Sequence, residues 1–337
     1  MNYKIIGKYI KNLDFSIPSS KALSSSIPES LAAEEIALMV NMMSVFSSAF
    51  TILFLFWTIT LLVIKIHPFE NHKSSADKFV FFSSASVGAL SLCFSDSFWF
   101  NSVEAEVYAM AMLILSILFY LALKWEKDMN TPRGDKWLLL ISFVIGLSFG
   151  VHFMGLLTIP AIGMLYYFKN YKKVTFKGFI LANVISVAIL LFIFKLLLPL
   201  TLAFFGNTEV YVVNTFGLPF NSGTILAGII ITSFFVISLR ISYRKKMVNL
   251  NTGLLSILFV LLGFSSWIMI PIRANANTVI NENSPSDARL LLAYYNLEQY
   301  PETKLFYGPY FSDMYVGQDE NNPYKDDKPK YERDEKT

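Results

Sequence analysis

Apolar residues are concentrated in eight segments along the middle of the chain, and short connections separate these segments. Most segments approach about 20 residues, the length that an apolar helix needs to cross the hydrocarbon core of a bilayer. The eight segments are residues 37–65, 79–95, 104–124, 137–151, 153–168, 177–205, 224–241 and 252–272. The pattern therefore predicts an all-α integral membrane protein with about eight transmembrane helices.

The connections between these segments alternate in charge. Lys or Arg residues are present in four of them, at 65–78, 124–136, 169–177 and 240–246. They are absent from three others, at 96–103, around residue 152 and at 206–223. Because cytoplasmic loops of membrane proteins carry an excess of Lys and Arg, the basic connections are predicted to be cytoplasmic. The alternation also requires the fourth and fifth segments to be two separate helices, which meet at Gly150-Val151-His152.

The two ends of the chain differ in composition from its middle. Residues 1–36 join a basic stretch to a Ser- and Pro-rich stretch, which predicts an atypical flexible segment. Residues 37–272 form the predicted polytopic module. Residues 273–337 are predicted to be a non-cytoplasmic segment whose tail, from Asp319 onward, is disordered because it has almost no apolar residues.

The overall composition excludes several classes of protein. Of the 337 residues, 54% are hydrophobic and 16% are charged, whereas soluble domains carry about 25% charged residues. Cys93 is the only cysteine, so an internal disulfide and a zinc-type Cys/His pattern are excluded. The nucleotide-binding motifs GxxxxGK[ST] and GxGxxG are absent. The Lys and Arg residues lie in short loops, which argues against nucleic acid and leaves the lipid bilayer as the predicted partner.

The stretch SDSFWFNSVEAEVY, at residues 95–108, places three carboxylates between two apolar segments. Asn101 and Glu104 have the spacing of a helix N-cap and the acidic residue that accompanies it, so capping explains Glu104 as well as function does. Capping does not explain Glu106. A carboxylate at the edge of a membrane span is a functional candidate, and Asp96 adds a third acidic group nearby.

Three other polar residues lie near the same predicted outer face. His152 is either a hydrogen-bonding group between helices or part of a site, and Lys195 either extends to the headgroups or binds a ligand. The Arg273 guanidinium suits a phosphate, although an anchoring role explains it equally well. Carboxylates and cations at one face suit group transfer from a lipid-phosphate donor, and they would equally suit an ion or solute pathway.

Gly146 and Gly150 form a GxxxG pattern, and Gly155 continues the same small-residue face. Small residues at this spacing let two membrane helices approach closely. The pattern predicts helix packing rather than a binding site.

Four segments resemble, in the same order, segments of one protein family. They are MVNMMSVFSSAFTILFLFWTIT, SDSFWFNSVEAEVYAM, GLSFGVHFMGLLTIPAI and IRANANTVINENSPSDARLLLAYYNLEQY. The family is a large bacterial group of polytopic membrane proteins with a domain of unknown function, and it is related to the animal transmembrane O-mannosyltransferase that acts on plexin-type receptors. The resemblance covers about residues 37–311.

This resemblance implies a partial module of a GT-C-like glycosyltransferase in the bacterial inner (cytoplasmic) membrane. The donor would be a polyprenyl-phosphate-linked sugar, with mannose as the suggested hexose, and the acceptor a Ser or Thr hydroxyl of an exported protein. No cofactor is implied, and a requirement for a divalent metal stays open. A transporter or a non-catalytic lipid-binding scaffold is the alternative.

Within this interpretation, the candidate residues take their roles from their positions near the predicted outer face. The catalytic candidates are Glu106 and Glu104, and the substrate-binding candidates are Arg273, Lys195, His152, Asp96 and Asn101. Family members begin with another membrane span and an outer loop that carries Asp-Cys-Gly-Glu and His-Pro-Pro-Gly-Ala-Pro motifs, which this sequence lacks. That loop usually supplies the catalytic acid in GT-C enzymes, so we expect the chain to be a truncated module without activity of its own.

Overall fold

A computed structural model describes residues 29–66, 74–276, 278 and 281–300. Within these residues the fold is entirely helical, which confirms the predicted all-α class. The predictions for residues 1–28 and for the tail from Asp319 onward lie outside the described residues.

The described α-helices follow one another with short breaks. In chain order they are α1 (Glu29–Ile66), α2 (Ser75–Cys93), α3 (Asp96–Val103), α4 (Tyr108–Asp128), α5 (Asp135–Ser148), α6 (Thr158–Asn170), α7 (Phe176–Leu191), α8 (Leu198–Phe216), α9 (Ser222–Arg244), α10 (Val248–Phe264), α11 (Met269–Ala274) and α12 (Ala288–Tyr295). Short 3₁₀ helices at Phe153–Leu157 and Ser265–Ile268 precede α6 and α11, and a π-helix at Phe192–Leu197 joins α7 to α8.

Five helical segments of the described chain are long and apolar enough to cross a membrane. They are Leu38–Ile66, Tyr108–Asp128, Phe176–Phe216, Ser222–Arg244 and Val248–Ala274. Helices α2 and α3, which meet at an angle of 66°, add a sixth if the bent pair is one span. The predicted number of eight is therefore not confirmed, because α5 and α6 have only 14 and 13 residues.

Several predicted boundaries are wrong. Helix α1 begins at Glu29 rather than at residue 37, so the last part of the predicted flexible segment is helical. The predicted loop at 96–103 is helix α3, because Ser95 and Asp96 start a helix before the aromatic residues. The predicted loop at 206–223 is helical as far as Phe216, because α7 continues into α8 through the π-helix.

Helix α4 lies at the centre of the helix bundle. Within its most apolar stretch, 39% of the residues are buried inside the protein, whereas the corresponding share in the other four spans is 6–17%. Phe54 and Trp57 of α1 pack on the ring of Tyr120 with centroid distances of 5.5 and 5.6 Å. Leu118, which is fully buried on α4, belongs to a core shared with α5, α6 and α10. This central helix fixes the positions of the helices that carry the candidate residues.

Glycines bring α5 and α10 into direct backbone contact. A Cβ atom at Gly146 would lie 2.0 Å from the carbonyl oxygen of Val260, and one at Gly263 would lie 2.1 Å from the carbonyl oxygen of Phe143. Each helix thus offers a glycine to the backbone of the other. The prediction that the GxxxG pattern serves helix packing is confirmed at Gly146.

The basic connections gather at one end of the helices, which we call the basic end. The Glu126 carboxylate lies 3.2 Å from the ammonium of Lys65 and 3.6 Å from that of Lys169. The Thr252 hydroxyl, at the start of α10, donates to Asp135 at 2.9 Å. The opposite end, which we call the site end, contains Tyr108, His152, Phe194 and Trp267.

Candidate functional site

Helices α2 and α3 meet at a bend, and exposed aromatic residues cluster there. The rings of Phe94 and Trp99 stack with a centroid distance of 6.3 Å. Together with Asp96 and Phe100 they line a shallow cleft of about 450 Å³. Asp96 is thereby placed beside exposed rings, as expected where an apolar surface meets water.

The predicted N-cap at Asn101 is wrong. Asn101 lies inside α3, and its amide donates to the carbonyl oxygen of Ser97 at 2.8 Å. Glu104 follows the end of α3 with an extended backbone, and α4 begins only at Tyr108. The spacing between Asn101 and Glu104 fits a capping box, but an earlier helix start at Ser95 had already placed Asn101 within a helix.

Glu104 and Glu106 lie in the unwound junction between α3 and α4. Glu104 is half-buried and Glu106 is exposed. Neither carboxylate has a hydrogen-bond or ion-pair partner among the described residues. The junction precedes the N-terminus of α4, where unsatisfied backbone N–H groups favour negative charge. The two carboxylates are therefore available to accept a proton or a hydrogen bond from a ligand.

His152 starts the 3₁₀ helix that separates α5 from α6. Its Nδ1 atom accepts a hydrogen bond from the backbone N–H of Met154 at 3.2 Å, which confirms that it has a local structural role. A ring nitrogen that accepts carries no proton, so the neutral ring has its proton on Nε2. The half-buried ring lies 6.1 Å from the ring of Tyr108, beside the first turn of α4.

Lys195 lies in the π-helix and is exposed. Its ammonium is 4.9 Å from the ring centroid of Phe194, and that ring packs on Phe153 at 6.0 Å. Phe153 in turn packs on His152 at 5.1 Å. A continuous row of rings therefore joins the start of α4 to Lys195. Single π-helical turns are frequent at functional sites, and no sequence pattern had indicated this one.

Arg273 is half-buried in the last turn of α11, where a cation suits the helix C-terminus. The helix is held in place by its neighbours: the indole N–H of Trp267 donates to the carbonyl oxygen of Phe149 at 2.8 Å, and the amide of Asn275 donates to Ser286 at 2.7 Å. These hydrogen bonds fix the position of the helix that carries Arg273 at the site end.

The structure brings some of the predicted residues together and not others. His152 and Lys195 are joined by the row of rings, and that row ends at Tyr108, two residues after Glu106. Asp96 and Asn101 lie on α3, and none of the contacts recorded for the described residues connects them to His152.

Sequence analysis missed Glu209, a carboxylate that is only 4% exposed. It accepts hydrogen bonds from the backbone N–H groups of Asn221 and Thr224, and from the Thr224 hydroxyl at 2.9 Å. It thereby caps the start of α9 from α8. Gly223 makes this contact possible, since a Cβ there would lie 2.4 Å from Cα of Glu209. The signal was a single carboxylate in an otherwise uncharged connection at 206–223.

Helix α12 packs against α8 and closes the site end. The Tyr295 hydroxyl lies 3.5 Å from the carbonyl oxygen of Phe194, and burial raises the pKa of this phenol. The Arg289 guanidinium, in the first turn of α12, donates to Glu298 at 3.2 Å, and this hydrogen bond lowers the pKa of the Glu298 carboxyl. In the described part of the chain, no group of three or more His, Cys, Asp or Glu residues could hold a metal ion.

The apolar helices, with charged connections gathered at one end, define a multi-pass membrane protein. Residues 21–175 match the family model of the protein O-mannosyl-transferase TMEM260 N-terminal domain. This match relates the chain to the animal O-mannosyltransferase family and confirms the resemblance inferred from the sequence. It includes α1 to α6 and the junction with Glu104 and Glu106, and it ends before Lys195 and Arg273.

No curated protein sequence matched this chain. No solved structure matched it either.

Proposed function

We propose that this chain is the membrane module of a GT-C-type glycosyltransferase, which transfers a sugar from a polyprenyl-phosphate donor to Ser or Thr hydroxyls of exported proteins. The observation that carries the proposal is the match of residues 21–175 to an O-mannosyl-transferase domain. The name of that domain makes mannose the first sugar to test.

The site end has groups suited to this chemistry. A carboxylate takes the proton of the acceptor hydroxyl as its oxygen forms a bond to C1 of the sugar. The bond between C1 and the phosphate oxygen breaks, and the polyprenyl phosphate leaves with the electron pair. We assign the proton to Glu106, because it is the more exposed of the two junction carboxylates, neither of which has a partner in the described chain. Glu104 shapes the same pocket.

Cations offset the negative charge that develops on the leaving phosphate. Lys195 is exposed and lies at the far end of the row of rings, so we assign it to the phosphate, with Arg273 as a second cation on the same end. His152 presents an Nε2–H donor, and Asp96 and Asn101 line the approach of the acceptor along α3. With these assignments, the row of rings from Tyr108 to Phe194 forms one wall of the donor-binding site.

We further propose that α5 and α6, each extended by its adjacent turn, are separate spans. Counting the bent pair α2/α3 once, the chain then crosses the bacterial inner membrane eight times, with the basic end in the cytoplasm. The positions of residues 135 and 170 at the basic end and of His152 at the site end support this count.

Gene deletion tests the proposed activity in the cells that produce the protein. We expect glycopeptides of exported proteins that carry hexose on Ser or Thr to disappear from mass spectra, and a plasmid copy of the gene to restore them. Unchanged glycopeptides would contradict the proposal and favour a transporter or a scaffold. Assay of purified residues 1–337 with polyprenyl-phosphate mannose tests separately whether this sequence is inactive alone.

A further inference from the structure

A second cavity runs between the helices along α7, from Lys173 at the basic end to Ile193 in the π-helix. It has a volume of about 620 Å³, within the range of about 300–1,000 Å³ that is usual for ligand sites. Its walls come from α4, α5, α6, α7 and α10, and most of them are aliphatic. Leu181, Ile185 and Ile189 of α7 line it and are 59%, 51% and 49% exposed, so the cavity is a groove open to the bilayer.

The groove ends in a polar mouth. Lys173, Thr175 and Tyr167 line it there, in or beside the connection between α6 and α7. The Tyr167 hydroxyl accepts a hydrogen bond from the backbone N–H of Thr175 at 3.3 Å. Gly178 leaves room for that hydroxyl, since a Cβ would lie 2.4 Å from it. The mouth therefore has a defined shape with polar groups at one end of an apolar channel.

The mouth is also positively charged. The connection at 169–177 contains four lysines and no carboxylate. Lys169 is paired with Glu126 at 3.6 Å, whereas Lys173 has no carboxylate partner among the described residues. A lysine without a counter-ion beside an apolar groove is complementary to a molecule with an anionic head and an apolar chain.

We propose that this groove binds one acyl chain of an anionic phospholipid, with the headgroup phosphate at Lys173. Basic pockets between transmembrane helices attract anionic headgroups at the membrane surface, and the acyl chain fills the apolar channel. The headgroup position at Lys173 lies at the basic end and the assigned donor phosphate position at Lys195 lies at the site end, so the two phosphates occupy different positions. The site does not depend on the proposed enzymatic activity.

Adjacent residues provide matched variants for a test. Lys173→Gln removes the cation that lines the mouth, and Lys172→Gln removes an exposed lysine that does not line it. Ile185→Trp fills the groove from α7, whereas Val184→Trp adds the same bulk at a neighbour that is 58% exposed and does not line the groove. Because all four positions are exposed or open to lipid, none of the variants overpacks the core.

Native mass spectrometry of the delipidated full chain measures binding of phosphatidylglycerol, of phosphatidylcholine with the same acyl chains, and of glycerol phosphate. We expect phosphatidylglycerol to bind most tightly. Lys173→Gln should weaken it about fivefold, which corresponds to about 1 kcal/mol, and Ile185→Trp should abolish binding of both lipids. The Lys172→Gln and Val184→Trp controls should bind as the unmodified chain does.

Three results would overturn the proposal. Equal binding of the two lipids would remove the role of the anionic headgroup. Equal losses of phosphatidylglycerol binding in Lys172→Gln and Lys173→Gln would mean that the lipid is attracted by the overall surface charge rather than bound at Lys173. Glycerol phosphate that binds as well as phosphatidylglycerol would identify a site for soluble phosphate rather than for a lipid.

Discussion

The basic end and the site end of this protein hold their charged residues in different ways. At the basic end the Glu126 carboxylate lies near the ammonium groups of Lys65 and Lys169, and Asp128 accepts the indole N–H of Trp137 at 2.8 Å. At the site end, Glu106 and Glu104 have no such partner among the described residues. Ionisable groups at a membrane are costly, so those without structural partners are the better candidates for function.

This comparison assigns two kinds of role to carboxylates that the sequence alone cannot separate. The Glu126 carboxylate forms ion pairs with lysines of two other connections at the basic end, so its loss should lower the stability of the fold. The Glu106 carboxylate has no hydrogen-bond or ion-pair partner in the described chain, so its loss should lower the rate of sugar transfer rather than the stability. Five experiments test the comparison, beginning with the orientation of the two ends.

The largest expected effect is an all-or-none difference in labelling. Asn207→Cys and Asn130→Cys, in a Cys93→Ala background, are compared in intact cells with a membrane-impermeant thiol reagent. Both side chains are exposed. We expect labelling at residue 207 and none at residue 130, because the latter belongs to a basic connection. Both should react in permeabilised cells, and the reverse pattern in intact cells would invert the assignment of the two ends.

The next effect is the loss of transfer in Glu106→Gln. The amide keeps the shape of the side chain but not its basicity, and general-base catalysis contributes about 10²–10⁴-fold in rate. This corresponds to roughly 3–5 kcal/mol at ~1.4 kcal/mol per decade. A charge that only favours the start of a helix is worth ~0.3–1 kcal/mol and would leave transfer intact.

Complementation of the deletion strain measures this effect, with hexose-bearing peptides counted at matched expression. Glu104→Gln, at the half-buried neighbour, should be milder. Normal glycopeptide levels with Glu106→Gln would remove Glu106 from the site.

The third effect is on stability. Gly146→Ala places a Cβ 2.0 Å from the carbonyl oxygen of Val260, so α5 and α10 must separate. Overpacking of this kind typically lowers the free energy of unfolding by ~1–3 kcal/mol. We expect a value at the upper end of that range, because the contact is with backbone atoms rather than with a flexible side chain. Gly253→Ala on α10 is the control, because nothing lies within 4 Å of its Cβ position. Thermal unfolding in detergent should show a lower Tm for the first variant alone.

Long apolar runs made the helical class and the approximate places of the main spans predictable. The number of spans was not predictable, because α5 and α6 are short and are extended by a turn and a 3₁₀ helix around His152. The continuation of α8 to Phe216 was also missed, because Asn207, Thr208 and Glu209 interrupt its apolar run. Local spacing alone could not show that Asn101 lies inside a helix.

The candidate site was predictable only as a set of residue types near one face. The sequence indicated Glu106 and Lys195 separately, but the row of rings between their neighbourhoods depends on tertiary packing. The π-helical turn at Lys195 and the capping role of Glu209 arise from contacts between helices, which no local pattern contains.

A smaller effect is expected from Glu126→Gln at the basic end. The side chain is 14% exposed and lies near two lysines, so we expect a cost of about 1 kcal/mol, near the upper range for partly exposed ion pairs. Hexose transfer per molecule of folded protein should be unchanged. A loss of transfer without a loss of Tm would break the division between the two ends.

The smallest effect concerns the exposed pair formed by Arg289, in the first turn of α12, and Glu298, which follows that helix. The guanidinium hydrogen bond lowers the pKa of Glu298 from its usual 4.5, so the pair contributes stability above that pH and loses it as the pH falls through the lower folded pKa. Both side chains are nearly half exposed, so solvent screening limits the contribution to a few tenths of a kcal/mol.

Thermal unfolding of Glu298→Gln and of the unmodified chain, compared from pH 6 to about pH 3, measures this contribution. The two Tm curves should be separated slightly at pH 6 and converge in acid. Curves that stay parallel would show that the Arg289–Glu298 pair does not stabilise the fold. A large separation at pH 6 would mean that a charged pair at the site end stabilises the fold as strongly as Glu126 does at the basic end.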